Sequence, residues 1–506
     1  MKKILLFIFT LTQISAQVSA QLPAQSSTRQ LPAQFKQAQS RDVKDIRDVK
    51  EQGNVILGIE MLEHYLPLLK GKRVAVVANQ TSVFPQHETN ALFLDKVKHQ
   101  QWQQRHEQQG WQDQRTQQEW QKQQGQKISR RDSRNNSFRS EFSGAGTHLV
   151  DTLLSLKVQI TKIFSPEHGF RGNAEAGENI ESSIDSITGL PVISLYGKNK
   201  KPSLKSLKKV DIVLFDLQDV GARFYTYIST LQYVMDACAE AKIPLIILDR
   251  PNPNGYYVDG PVLDTSLRSF VGMQPIPIVH GLTICEYALM LKGEKWIKGD
   301  VDLTVIPMKR YNRNRTYPVA VAPSPNLSTM SSILYYPSLC LFEGTAVSVG
   351  RGTQIPFMCY GFPKCPVGDF NFMPVSLKGI AENPPYKDIP CKGFFLDESV
   401  EERIRRQRGI MLEWIIDMYN AYPDKDKFFN SFFDKLAGTK TLQLQIRQGK
   451  TAEEIRTSWK QDLERFKAVR KKYLLYEDRA DRSMIRSGSA NINRPVPSED
   501  SVSNKR

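Results

Sequence analysis

The 506-residue sequence has no apolar stretch long and uncharged enough to span a bilayer; its opening apolar run, Ile4 to Leu11, is too short. The signatures of several common chemistries are also missing. There is no GxSxG nucleophile elbow, and the one SxxK match, Ser206 to Lys209, lies in a lysine-rich run that reads as an exposed helix, which disfavours a serine hydrolase. The seven histidines include no HExxH or other close pair, and only His168 and His280 stand in dense polar motifs, so no metal site is expected. No GxGxxG follows the first strand-like run, which argues against a dinucleotide, and no cofactor is expected. Six cysteines are too sparse and irregular for a disulfide framework. Cys238 and Cys285 read as buried thiols, whereas Cys340, Cys359, Cys365 and Cys391 are candidates for one bridge in an oxidising compartment.

Lys and Arg number 69 against 53 Asp and Glu, a formal net charge of +16. Much of the excess lies from Arg105 to Arg139 and from Arg403 onward, which reads as solvated faces and tails. No recognition helix, zinc finger or aromatic-rich basic motif accompanies it, so nucleic acid is not an expected partner. A basic protein does suit sugars that bear carboxylates.

Lys2 and Lys3 precede the apolar run, and Val18-Ser19-Ala20 follows with small residues, so residues 1–20 read as an export signal and the location as periplasmic or secreted. No cysteine follows the signal, so a lipid anchor is not expected. Residues 21–50 form a polar linker. A Gln-rich tract at 99–146, opening HQQWQQRHEQQGW, has too few aliphatic residues to build a core and is expected to lie outside the fold. Its Trp102, Trp111 and Trp120 recur every nine residues, which suits either a weak partner-binding face or, the favoured reading, an expanded tract without function. The remaining length exceeds one ordinary core: 54–300 reads as a Rossmann-like catalytic domain carrying the insertion, 301–478 as a smaller α/β auxiliary domain, and 479–506 as a disordered tail.

Runs rich in β-branched residues at Arg73 to Ala78, Val158 to Phe164, Val210 to Phe215 and Pro244 to Leu248 predict strands. Helical patterns at Ile59 to Leu69, Thr147 to Leu156 and Tyr225 to Ala241 fall between them. Near-continuous apolar strands separated by helices indicate a parallel sheet covered on both faces. In the second half, strands are expected at Val301 to Pro307, Leu341 to Val349 and Gly393 to Leu396, and helices at Gly409 to Tyr422 and Ala452 to Ala468.

Each first-half strand runs into a polar cluster: Asn79-Gln80-Thr81-Ser82, Ser165-Pro166-Glu167-His168-Gly169, Asp216-Leu217-Gln218-Asp219 and Asp249-Arg250-Pro251-Asn252. The carboxyl ends of parallel strands share one edge, where ligands bind. The chemistry left there is that of carboxylates. Glycoside hydrolysis needs an acid to protonate the leaving oxygen and usually a second carboxylate as base or nucleophile. Glu167 is the leading acid, held between a proline and a tight turn with Phe164 and Phe170 near in sequence, surroundings that favour a raised pKa. A helix-capping role is the alternative. Asp216 or Asp219 is the candidate second carboxylate. Arg223 offers a planar fork for a carboxylate, and Arg351, in GRGT, is a second such clamp. Tyr225 and Tyr227 suit stacking, hydrogen bonding or the core, and Glu343 is a further acid or base. Arg351 and Glu343 equally suit a domain-interface ion pair.

The runs ANQTS, FSPEHGFRG, TGLPVISLYG, FDLQDVGARFYTYISTL, LDRPNPNG, HGLTICEYA, PSPNLST and EGTAVSVGRGTQIPF, in this order, resemble the exo-β-N-acetylmuramidases of glycoside hydrolase family 171, the NamZ-like family. The resemblance covers Val55 to Tyr476 apart from the Gln-rich insertion. It implies a Rossmann-like domain joined to a smaller one, with a cleft that binds a terminal N-acetylmuramic acid of peptidoglycan-derived muropeptides or disaccharides, in cell-wall recycling. The family's catalytic glutamate falls on Glu167. His168, Asp216, Gln218, Asp219, Arg223, Tyr225, Asn252, Glu343 and Arg351 match its motif positions. Cys285 stands where the family commonly has glycine, implying altered packing, and Ala346 where a more polar residue is usual, implying one sugar contact fewer. A non-catalytic muropeptide-binding protein, or a peptidoglycan amidase or esterase, are the competing readings, and a homo-oligomer is left open.

Overall fold

The computed structural model describes residues 54–85, 146–172, 182–314 and 316–478. The export signal, the polar linker, nearly all of the Gln-rich tract and the tail lie outside them. Val74 to Ala78 are without accessible surface, as a strand covered on both faces must be. This is β1 (Val74–Ala78). With β2 (Ile160–Ser165), β3 (Ser183–Ile184), β4 (Pro191–Ser194), β5 (Ile212–Asp216), β6 (Leu245–Leu248) and β7 (Leu303–Ile306) it builds one sheet in the order β3-β4-β2-β1-β5-β6-β7. Every neighbouring pair is parallel except β3 and β4. The chain winds from β1 out to β4 on one side, then returns to lay β5 on the other flank of β1. Winding therefore reverses between β1 and β5, the place where open α/β sheets form a crevice at their carboxyl edge.

Alternate residues along the strands point to opposite faces. Val74, Val76, Ala78, Ile163, Leu214, Ile246 and Leu248 join one apolar cluster, with side chains of α1 (Leu62–Leu69) and α2 (Leu149–Ser155). Ala75, Val77, Phe164, Val213, Phe215, Leu245 and Ile247 join the other, with α3 (Tyr227–Ala241) and α4 (Ile284–Gly293). The α4 helix starts where Thr283 and Glu286 cap each other's backbone, a reciprocal pairing that satisfies two amide donors.

The second cluster continues into the second half, whose elements are α5 (Met330–Leu339), β8 (Cys359–Phe362), β9 (Phe370–Phe372), β10 (Cys391–Phe395), α6 (Glu398–Gln407), α7 (Leu412–Ala421), α8 (Phe433–Ala437), α9 (Thr441–Arg447) and α10 (Ala452–Arg470), with Phe372 of β9 packed instead against Cys359 and Cys391 in a small third cluster. β8, β10 and β9 form a small antiparallel sheet in that order. The fold is thus α/β, a mostly parallel sheet layered by helices with a smaller antiparallel sheet. Two expected elements differ. The strand at the start of the second half is β7, the seventh strand of the large sheet, because it pairs with β6 from Leu245↔Leu303 to Leu248↔Ile306. Leu341 to Val349 is not a strand. The Cys340 amide still donates to Tyr336, so α5 runs straight into a 3-10 turn, Cys340–Gly344, and only isolated bridges follow, Thr345 to Phe429 and Ser348 to Gly361. All six cysteines are described, buried and free, so none of the candidate cysteines is bridged.

Candidate active site

Beyond the carboxyl edge lies a cavity of about 430 Å³, within the range of small-ligand sites. Three strand ends or helix starts of the sheet contribute: Glu167 and His168 after β2, Tyr196 and Lys200 after β4, and Phe224 to Thr226 ahead of α3. Phe270 adds a ring, and the second half supplies Tyr336, Glu343, Arg351, Phe357 and Phe432.

Glu167 owes its position to a tight turn. Pro166 follows the last residue of β2, and His168 and Gly169 both adopt left-handed backbone, φ 72 and 76. The Gly169 amide closes on the Pro166 carbonyl at 3.1 Å. Histidine is among the few non-glycine types that accept this conformation with some frequency. Glu167 is left 8% exposed at the cavity wall. Its Oε2 accepts a 2.6 Å hydrogen bond from Thr226 Oγ1, the residue just before α3. Burial first, and then the Glu167 carboxylate that its hydroxyl faces, raise the Tyr196 phenol above its usual pKa, so Tyr196 stays a proton donor.

From the second half, Arg351 donates through Nε to Glu343 Oε1, and its guanidinium lies 5.0 Å from the centre of the Phe357 ring. Burial by itself lowers the Arg351 pKa; the Glu343 carboxylate outweighs it and holds the guanidinium firmly charged. The Cys340 thiol, pushed up by burial, donates to Glu343 Oε2 at 3.6 Å. Two carboxyl groups, Glu167 braced by a hydroxyl and Glu343 braced by an arginine, thus line one cavity, and glycoside hydrolysis commonly uses a pair of carboxyl groups.

Of the ten residues singled out by sequence, Glu167, His168, Tyr225, Glu343 and Arg351 line this cavity and the other five do not. Asp216 is fully buried and gripped by Arg250, Nε to Oδ1 at 2.6 Å and Nη2 to Oδ2 at 2.7 Å. Asp219 turns back on its own loop, Oδ2 accepting the Gly221 amide at 2.7 Å, and burial pushes its carboxyl up to about 7. His280 stands 3.9 Å from that oxygen, but burial lowers it to about 3, so the two are not an ion pair near neutrality. Gln218 donates to the Asp219 and Pro251 carbonyls. Asn252 accepts from Asn254 and donates to Leu282, packed so tightly on Gly221 (φ 81) that a Cβ there would lie 2.0 Å from its Oδ1. Arg223 is 0% exposed, with Nη1 on the Pro261 and Ile276 carbonyls and Nη2 on that of Leu436. This fork holds backbone, not a ligand, which corrects its reading as a carboxylate clamp. These five residues build the loops behind the cavity.

Tyr225 presents its ring while its hydroxyl donates to the Pro323 carbonyl at 2.7 Å; Tyr227, fully buried, donates to the same oxygen and belongs to the core. Asn79 and Ser82 tie loops together: Asn79 Nδ2 donates to the Tyr227 hydroxyl and Ser82 Oγ to the Asp216 carbonyl. Thr226, Tyr196, Lys200 and Phe270 were not singled out by sequence. The available signal was position, since Tyr196 and Lys200 follow a strand of the same sheet as Glu167.

Comparison with known proteins decides the family. The N-terminal model of the exo-β-N-acetylmuramidase NamZ matches residues 137–331 and the C-terminal model matches residues 334–476. This chain is a member of the NamZ family. It is similar to the peptidoglycan β-N-acetylmuramidase NamZ of Bacillus subtilis (strain 168), 40% identical over 338 residues, 63% of this chain and 80% of that protein. Two solved structures of DUF1343 family proteins from Bacteroides fragilis share the architecture. One is 41% identical with a TM-score of 0.67, covering 84% of this chain and 100% of its own; the other is 26% identical with a TM-score of 0.57, covering 84% and 99%. Cys285 and Ala346, the two positions expected to depart from the family pattern, are not among the residues that line the cavity. Cys285 is buried in the first turn of α4, where its amide donates to Asp249. Ala346 pairs through its backbone with Phe428 and Tyr386.

Proposed function

We infer that this protein is an exo-acting glycoside hydrolase that releases N-acetylmuramic acid from the non-reducing end of peptidoglycan fragments. The observation that carries the chemistry is Glu167 at the cavity wall, oriented by Thr226 and facing Tyr196. In this reading, Glu167 donates its proton to the glycosidic oxygen as the bond to the sugar breaks, and the aglycone leaves as a neutral alcohol. Glu343 is the second carboxylate, held by Arg351, and meets the developing positive charge on the sugar ring or the incoming water. His168, in its left-handed turn, fixes the direction of Glu167. Tyr225 and Phe224 supply ring surface for the apolar side of a sugar. Lys2, Lys3 and the apolar run after them support export of the chain to the periplasm or beyond, where such fragments occur.

The test is incubation of the purified protein with the N-acetylmuramic acid–N-acetylglucosamine disaccharide. Release of both monosaccharides is the expected result. Tight binding without release would instead favour a muropeptide-binding protein.

A further inference from the structure

Among the described residues that line the cavity, two side chains carry a permanent positive charge, Arg351 and Lys200. Arg351 is already engaged by Glu343. The Lys200 ammonium has no carboxylate partner among the described residues. It stands 5.1 Å from the centre of the Phe270 ring, and Phe270 also lines the cavity. That ring is held on two sides, stacked on Tyr233 at 6.2 Å and tilted against Tyr196 at 5.9 Å. Tyr196 in turn faces Glu167, so acid, phenol, ring and ammonium form one continuous stretch of wall. The neighbouring Lys201 reaches away to pair with Glu240, so this lysine-rich loop sends one of its cations to the cavity and another to the surface.

We propose that Lys200 is the specificity residue that reads the lactyl carboxylate of the terminal muramic acid. The proposal rests on the muramidase reading above. A cation poised on an aromatic face has lost part of its hydration and needs little rearrangement to meet an anion. The lactyl carboxylate is what distinguishes muramic acid from glucosamine, and Lys200 is the cavity cation with charge to spare. Arg223, the stronger candidate by sequence, is spent on three backbone carbonyls.

The experiment is calorimetric binding of N-acetylmuramic acid and of its methyl ester to the wild-type protein and to Lys200→Ala and Lys200→Arg, with melting temperature recorded for each. The wild type should bind the acid roughly tenfold to hundredfold more tightly than the ester, the worth of a charge-assisted pair. Lys200→Ala should lose that preference by weakening the acid alone, and Lys200→Arg should retain most of it. Unchanged acid binding in Lys200→Ala, equal weakening of acid and ester, or a wild type indifferent to esterification would each overturn the proposal. Binding needs no turnover: selective acid binding without disaccharide hydrolysis would refute the hydrolase reading while the Lys200 comparison still stands.

Discussion

Arg250 holds Asp216 in a two-pronged ion pair, Nε to Oδ1 at 2.6 Å and Nη2 to Oδ2 at 2.7 Å, with side chains 3% and 0% exposed. The carboxylate at the end of β5, beside the middle strand β1, is thereby removed from the cavity chemistry. Arg250 Nη2 also donates to the Val83 carbonyl, so the pair joins the ends of β5 and β6 to the loop after β1. Breaking a buried pair from one side strands a charge in the interior and typically costs about 3–5 kcal/mol. Asp216→Ala should therefore destabilise the protein on that scale in denaturant unfolding, while any folded fraction binds N-acetylmuramic acid normally. A variant of wild-type stability with weak ligand binding would return Asp216 to the site.

Glu167 is expected to act as the acid. Positioned acid catalysis contributes a factor of about 100 to 10,000, so Glu167→Gln should lose rate on that scale and keep ligand affinity. A nitrophenyl muramide, whose leaving group needs little protonation, should suffer less than the natural disaccharide. Equal losses on both substrates would shift the role to Glu343.

Thr226 gives a finer test of the same site. Thr226→Val keeps the shape and removes the donor that orients Glu167 Oε2. Misplacing a catalytic group by about 1 Å can cost about 100-fold in rate, so kcat on the disaccharide should fall by at least about tenfold. A variant as active as the wild type would show that the Thr226 hydroxyl does not set the acid's geometry.

Burial raises the carboxyl of Asp219 to about 7 from the ordinary 3.8, and that of Asp249 likewise. Between about pH 4 and 7 the unfolded chain has released these protons and the folded chain retains them. The folded state binds more protons there, so stability contributed by these groups is full below the window and declines as pH rises through it. Asp219→Asn should remove part of that decline and leave the part due to Asp249. Unfolding free energies of the two proteins at pH 4.5 and 7.5 measure it; an unchanged slope would mean that Asp219 titrates normally.

The chain on either side of the Gln-rich tract is stitched together: the Phe84 amide donates to the Thr147 carbonyl at 3.0 Å, and Val83 and His148 form an antiparallel bridge. Ends already in contact need only a short connection, and loop closure costs little more for a long loop than for a short one. Deleting residues 100–143 should leave disaccharide hydrolysis and melting temperature nearly unchanged. A large loss of either would show that the tract contributes to the fold.

Much of the architecture was legible before folding. β1, β5 and β6 stand where runs of aliphatic and β-branched residues predicted them, because a strand interior buried on both faces favours apolar residues, and β2 stands where predicted although its Thr161 and Lys162 are only half-buried. Glu167 was legible for a related reason. Proline before it and the His168-Gly169 turn after it act within four residues, and local geometry alone delivers the carboxylate to the strand edge.

What only the tertiary structure decided is which of several equally placed polar residues faces the cavity. Asp216 and Asp219 sit at a strand end as Glu167 does, yet Arg250 and the Gly221 amide turn them inward. Arg223 looked free in the sequence because its three carbonyl partners come from segments 38, 53 and 213 residues away. Lys200 was not singled out by sequence, and only packing sets it over the Phe270 ring. Composition and periodicity govern how a residue is buried, but the direction of a side chain in a loop is set by partners brought together only when the chain packs.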